Sequence, residues 1–281
     1  MSSVSNSLRC TVCGCHSSEE DWHKEDVPCS VCGHHEAIKC PFCEEIFDIS
    51  YIQDHEKRVK MKEISKEYIK ELIGHDQCFV LDVGCYTGSD GAEIAELMPK
   101  CEVVCFEADP RSQQLFDKFN GNNKKMILYP MAMGNVDGPI DFYPSYSDTR
   151  RHFDFQESWS ASGSTKKAKE HLNLFPDVEF NGSIKVPCVK LDTWYAFHAF
   201  PRPIDFAWVD LNGSEEDFIL GGINTLSNHT RFLYIEFSDK ELYEGQITKK
   251  KILEMLPNFI LIDIFNLGEN FGNLLLKNTK I

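Results

Sequence analysis

Residues 81–91 read LDVGCYTGSDG, from Leu81 to Gly91. The run that leads into them, "CFVLDVG", has the composition of a buried strand. Gly84, Gly88 and Gly91 then mark a turn into an amphipathic helix, "DGAEIAELM". Such a strand–turn–helix holds nucleotide-like ligands in many α/β proteins. A dinucleotide fold needs G-x-G-x-x-G here. Tyr86 stands where the middle glycine would let backbone approach a pyrophosphate. No Gly-Lys-Ser/Thr follows, which removes a P-loop.

Asp82 lies two residues before Gly84. Its carboxylate would repel a pyrophosphate and attract a ligand bearing an ammonium and a sulfonium. The next strand, "EVVCFEA", places Glu107 at its carboxyl end, 25 residues after Asp82. An acid there can accept both ribose hydroxyls of a nucleoside. Asp109-Pro110 opens the helix "RSQQLFDKF". Two acids at matched strand ends, with no phosphate cradle, point to S-adenosylmethionine.

Strands and helices alternate along most of the chain from residue 57. "KMILYPMAM", "DFAWVDL" and "RFLYIEF" read as strands, with the helix "EEDFILGGINTL" between the last two and "KKKILEML" after them. "FILIDIF" and "NLLLKN" close the chain with no helix between them, so they should pair antiparallel. The alternation implies a mostly parallel seven-stranded sheet with helices on both faces. Before it, Val59, Ile64, Tyr68, Ile69, Leu72 and Ile73 recur at near-helical spacing, with Gly74 as the stop. Residues 143–186 break the pattern and read as an irregular lid or insertion. The expected division is residues 1–56, a small metal-binding module, and residues 57–281, the α/β domain.

Several separated motifs resemble the FkbM-type methyltransferases, a branch of the class I, Rossmann-like, S-adenosylmethionine-dependent fold. "LDVGCYTG" is similar to the family's D-V-G-A-N-x-G turn, with Cys85 and Tyr86 departing from it. "VVCFEADP", "PMAMGNVDGPIDFY", "VPCVKLDTW", "IDFAWVDLNGSEEDFILGGINTL" and "RFLYIEFS" follow in the family's order. The resemblance covers roughly residues 57–277. Asn212 replaces the first acid of the family's E-G-A-E, and Glu215 keeps the second. The resemblance implies cofactor contacts at Asp82, Gly84, Cys85, Gly88, Glu107, Ala108, Asp109 and Ala132. It also implies an acceptor hydroxyl on a sugar, glycan or secondary metabolite.

Methyl transfer requires an acceptor aligned about 3 Å from the methyl and a group that manages its proton. Asp210, Glu215 and Glu236 fall at or just beyond strand carboxyl ends, where sites lie in open α/β sheets. Asp210 is the expected proton acceptor, with Glu236 or Glu215 orienting the substrate. The alternative is that these acids hold a divalent cation that lowers the hydroxyl pKa. His152 and His171 are weaker base candidates. In the lid, Trp159 could stack on a sugar ring and Ser162 and Ser164 could bind hydroxyls.

Seven of twelve cysteines lie in the first 43 residues. Cys10/Cys13 and Cys29/Cys32 form C-x2-C-x15-C-x2-C, the spacing of a zinc ribbon. Cys40, Cys43 and His55 resemble three ligands of a Cys2His2 finger whose last His is missing, with His34 or His35 as the candidate fourth. Pairing of Cys29, Cys32, Cys40 and Cys43 around one metal is the alternative. Four thiolates at about 2.3 Å make a closed structural site, so one or two structural zincs are expected. Without an evident signal peptide this usage fits a reducing, cytoplasmic setting.

The formal net charge is −15, which gives no overall attraction for nucleic-acid phosphates. No apolar run is long enough to span a bilayer. A small-molecule or glycan acceptor is therefore the first expectation. A nucleic-acid or protein methyltransferase docking through the zinc module is the second. A zinc adaptor with a degenerate fold is the third, and intact Asp82, Glu107 and Asp210 argue against it.

Overall fold

The computed structural model describes residues 63–147, 160–266 and 270–281, together with the backbone of five strands within residues 1–62. The chain divides into two units, Met1–Lys62 and Glu63–Ile281.

In the first unit, β1 (Ser7–Arg9) pairs antiparallel with β2 (His16–Ser18). Strands β3 (His23–Cys29), β4 (Gly33–Lys39) and β5 (Ile46–Asp48) form an antiparallel sheet in that order. Of the expected metal ligands, Cys10, Cys13, Cys32, Cys40, Cys43 and His55 lie outside the described residues. For Cys29, His34 and His35 only the strand backbone is described.

The second unit begins with α1 (Lys66–Ile73), where Ser65 Oγ accepts from Tyr68 N at 3.2 Å and Gly74 ends the helix in the left-handed region. The chain continues through β6 (Phe79–Val83), α2 (Ser89–Leu97), β7 (Glu102–Phe106), α3 (Pro110–Asn120) and β8 (Met126–Tyr129). The expected third strand is broken after Tyr129. Pro130 has no N–H for a ladder, so Ala132–Met133 (β9) leaves for a separate small sheet. That sheet also holds β10 (Gly138–Phe142), and β11 (Ser145–Tyr146) follows.

Residues 160–186 are built more regularly than the sequence suggests. They carry α4 (His171–Leu174), β12 (Glu179–Phe180), which pairs with β11, and the start of β13 (Ile184–Val189), which pairs with β9 and β10. Leu242 O accepts from Lys169 N and His171 N, so this half of the segment is tied to the loop before the last helix. Its backbone bonds go to partners far away in sequence, which local periodicity cannot reveal.

After α5 (Leu191–His198), β14 (Ile204–Val209) returns to the main sheet. The expected single helix that follows is two, α6 (Glu215–Gly221) and α7 (Ile223–His229). The break falls at a close crossing, because a Cβ on Gly221 would lie 1.9 Å from Gly134 O. The chain closes with β15 (Thr230–Ser238), α8 (Lys249–Met255), β16 (Phe259–Asn266) and β17 (Phe271–Asn278).

The main sheet has seven strands in the order β16-β17-β15-β14-β6-β7-β8. Only β17 runs antiparallel to its neighbours, as the missing last helix requires. Every residue of β6 and β14 is buried, because helices cover both faces. Alternation divides the core accordingly. Leu81, Val83, Ala207, Val209, Leu233 and Ile235 pack on one face. Val80, Phe206, Trp208, Phe232 and Tyr234 pack on the other.

The ends of β6 and β14 approach closely at the glycine turn. Gly84 has φ +81°, and a Cβ there would lie 1.8 Å from Asp210 O. Gly84→Ala is expected to lower stability by at least about 2 kcal/mol, from left-handed strain and a backbone clash together. Urea denaturation of purified protein measures it; a midpoint within error of the parent would contradict this packing.

Candidate functional site

Strand parity decides where the acids go. Asp82 follows Val80, and Glu236 follows Tyr234, on the second face of the sheet. Asp210 continues that parity just beyond β14, with its N–H donated to Val83 O at 3.0 Å. The three strands involved are adjacent, so the three carboxyls gather at one end of one face.

A cleft opens at this end, with about 550 Å³ of empty space including its open mouth. Gly84, Tyr86, Glu107 and Ala108 form one wall, and Met131, Ala132 and Met133 another. Asp210, Leu211, Asn212 and Ser214 line it from the β14–α6 turn. Ser160, Ala161, Gly163, Ser164 and Thr165 cover it. Thus six of the expected site residues line the cleft: Gly84, Glu107, Ala108, Ala132, Ser164 and Asp210.

The others stand behind them. Asp109 N-caps α3 and pairs with Arg111, whose Nη2 also donates to Ser145 O at 2.9 Å. Gly88 packs against Phe116, and Cys85 is buried in the core beneath the turn. Ser162 is buried, and its carbonyl accepts from the Tyr243 hydroxyl at 2.9 Å. His171 is not on an exposed loop. It is buried among Phe175, Phe180 and Tyr243. Trp159 and His152 lie outside the described residues.

Glu107 is held by backbone. Its Oε2 accepts from Tyr86 N at 2.8 Å and its Oε1 from Asp109 N at 2.7 Å. Each oxygen keeps a lone pair for a ribose hydroxyl. Burial pushes its carboxyl up to about 7, against the pull of those N–H donors. Asp82 is buried, and its Oδ2 has no hydrogen-bond partner. Burial first, and the nearby Asp90 charge second, raise its pKa well above the usual carboxylate range, while the Gly91 N–H and Lys66 oppose them. A buried carboxylate with an orphaned oxygen fits a site completed by a cationic ligand.

Asp210 and Glu236 form a coupled pair joined by a side-chain hydrogen bond. Two carboxyls can share such a bond only with a proton between them. Burial raises Asp210 to about 6, and the bond from Glu236 restrains the rise. Burial, then the charge of Asp210, raises Glu236 well above its usual range. One proton is shared by the pair. Asp210 Oδ1 is buried and takes no bond from another donor group of the protein. Glu215 is folded back on its own turn, its Oε1 accepting from Leu211 N and Gly213 N at 3.2 Å each. It braces the turn rather than lining the cleft.

Among the described residues no group of three or more His, Cys, Asp or Glu is arranged to hold a metal.

Sequence reasoning missed Tyr243 and gave Asn212 no role. Tyr243 belongs to no spacing motif that carries chemistry. Asn212 has a structural signal: it and Tyr86 are the non-glycine residues with positive φ, +51° and +53°, among the described residues. Such conformations concentrate at functional sites.

Residues 82–271 match the methyltransferase FkbM domain. The chain is 42% identical over 213 residues to the 2-O-methyltransferase NoeI of Sinorhizobium fredii (strain NBRC 101917 / NGR234), covering 76% of this chain and 84% of that protein. Among solved structures it is similar to an FkbM methyltransferase from Methylobacillus flagellatus KT, at 14% identity and a TM-score of 0.44, over 76% of this chain and 50% of the other. It is also similar to Aeropyrum pernix fibrillarin with natively bound S-adenosyl-L-methionine, at 10% identity and a TM-score of 0.42, over 98% of this chain and 100% of that one.

Replacing Asp82 with Asn keeps its shape and removes its charge. Affinity for S-adenosylmethionine, measured by calorimetry, is expected to fall roughly tenfold to a hundredfold. Thermal stability should hold or rise, because the cost of burying a carboxylate disappears. Unchanged affinity would remove Asp82 from the cofactor site.

Proposed function

Because the chain belongs to the FkbM methyltransferases and is an S-adenosylmethionine-dependent methyltransferase, we propose that it methylates a hydroxyl oxygen of a sugar-like acceptor, with Asp210 as the proton acceptor. Bound S-adenosylmethionine supplies an electrophilic methyl on a sulfonium. The residues suited to hold it are Gly84, Glu107, Ala108 and Ala132 along the cleft, with Asp82 beneath.

What carries this proposal is the position of Asp210, which lines the cleft beside Glu236. A hydroxyl is a poor nucleophile until its proton can leave. Asp210 receives that proton, and the neighbouring Glu236 restrains the rise that burial gives its pKa. Glu215 holds the turn that aims Asp210. The name of the Sinorhizobium relative, a 2-O-methyltransferase, supports oxygen as the target. An acid base matched to a hydroxyl acceptor, and a chain of net charge −15, favour a sugar over a nucleic acid. No helix among the described residues is long and apolar enough to cross a membrane.

The first unit supports a structural zinc module in the full chain. Strand register sets Arg9 opposite His16, Cys29 opposite Gly33 and Lys39 opposite Ile46. Each Cys-x-x-Cys pair thus falls in the chain where one antiparallel strand gives way to the next. Thiolates so placed can close on a metal and staple a unit too small to build a large core.

Four measurements test these proposals. Radiolabelled methyl transfer should be found on an oligosaccharide panel and not on nucleic acids or proteins; the reverse pattern would refute the acceptor class. On the labelled acceptor, Asp210→Asn should lower kcat roughly 10²- to 10⁴-fold with cofactor affinity retained. The base works deprotonated, so kcat/KM of the parent should fall as pH drops below about 6, the value to which Asp210 is raised. A profile flat through that range would exclude it. Separately, elemental analysis of protein purified without chelators should find one or two zincs per chain; none would sink the module.

A further inference from the structure

We propose that Asn212 is a positioning residue that clamps the segment Ser160–Thr165 over the cleft, with the Tyr243 hydroxyl as the second jaw. Asn212 Nδ2 lies 3.1 Å from Ala161 O and 3.3 Å from Gly163 O. Both partners are acceptors, so the amide nitrogen must face them, and the network fixes the amide's orientation. Ser164 Oγ donates to Asn212 O at 2.8 Å. The Tyr243 hydroxyl donates to Ser162 O at 2.9 Å and lies 3.4 Å from Asn212 Oδ1. Thr165 Oγ1 and Ser214 Oγ are 2.6 Å apart, and Lys166 pairs with Asp217 at the start of α6. Every residue from Ala161 to Lys166 is thereby tied to the β14–α6 turn or its neighbours.

The chemistry of position 212 is specific. A carboxylate there would face two carbonyl oxygens and donate to neither. The side chain also requires φ +51°, which Asn tolerates better than most residues. Gly213, at φ +95°, leaves no room for a Cβ against Tyr243, so the turn and Tyr243 are packed as one unit. Asp210 is two residues before Asn212 in the same turn. Other bonds anchor the segment independently of Asn212: Ser160 Oγ is 3.2 Å from Ser112 Oγ on α3, Ser162 N–H donates to Ser145 Oγ at 3.1 Å, and Ser164 forms a backbone bridge with Tyr143. Release at Asn212 should therefore loosen the cover without detaching it.

The proposal rests on the cleft being the cofactor site, and the test has one arm that does not. In hydrogen exchange of the whole ligand-free chain, Asn212→Asp should speed exchange in 161–165 roughly tenfold or more. Exchange in β6 and β14 should stay as in the parent. Asn212→Gly keeps the left-handed turn without the amide and should behave like Asn212→Asp; parent-like exchange there would show that the backbone alone holds the segment and would overturn the clamp. Tyr243→Phe should give the same regional effect at smaller size. In the second arm, radiolabelled S-adenosylmethionine is chased with unlabelled cofactor. Faster release from Asn212→Asp and Asn212→Gly supports a clamp over the cofactor. Unchanged exchange in 161–165 in all three variants refutes the clamp. Faster exchange with unchanged release keeps the clamp and refutes the placement of the cofactor beneath it.

Discussion

The site depends on one close approach, that of the Gly84 backbone to the carbonyl of Asp210. Strands β6 and β14 lie side by side, and Asp210 N–H continues their ladder to Val83 O. No side chain fits between the two ends, since a Cβ on Gly84 would meet Asp210 O at 1.8 Å. The turn at Gly84 and the turn that carries Asp210 are therefore in fixed register. Methyl transfer needs that register, because a small displacement between reacting atoms carries a large cost in rate.

A second constraint follows from burial. Asp82, Glu107, Asp210, Glu215 and Glu236 are gathered at the carboxyl ends of adjacent strands, and burial raises the pKa of each. So many charges could not coexist in an apolar interior. The protein separates them by giving each a different environment. Glu107 and Glu215 are held by backbone N–H donors, and Glu236 stands beside Asp210. Asp82 Oδ2 and Asp210 Oδ1 take no bond from a donor group of the protein. Asp82 stands beneath the cleft while Asp210 lines it.

Much of the architecture was legible from local pattern. The continuous apolar runs of β6 and β14, the helix start at Asp109-Pro110 and the stop at Gly74 each follow from residue chemistry acting over a few positions. The errors share a cause. The strand broken at Pro130, the helix divided before Gly222 and the ordered stretch 160–186 are all set by partners distant in sequence. Gly134 O for Gly221 and Leu242 O for His171 leave no periodic trace.

The sequence by itself determined the ligand class. A turn without its middle glycine, preceded by Asp82 and matched to Glu107, excludes a pyrophosphate and favours a cationic nucleoside, because those preferences are properties of single residues and their spacing. Tertiary structure alone decided the division of labour among the acids. Asp210, Glu215 and Glu236 are chemically alike in one dimension. Folding sets Asp210 along the cleft, turns Glu215 back on its own loop and places Glu236 beside Asp210. Hydrogen-bond partners and burial create that difference, and both arise only when β14, β15 and the segment Ser160–Thr165 meet.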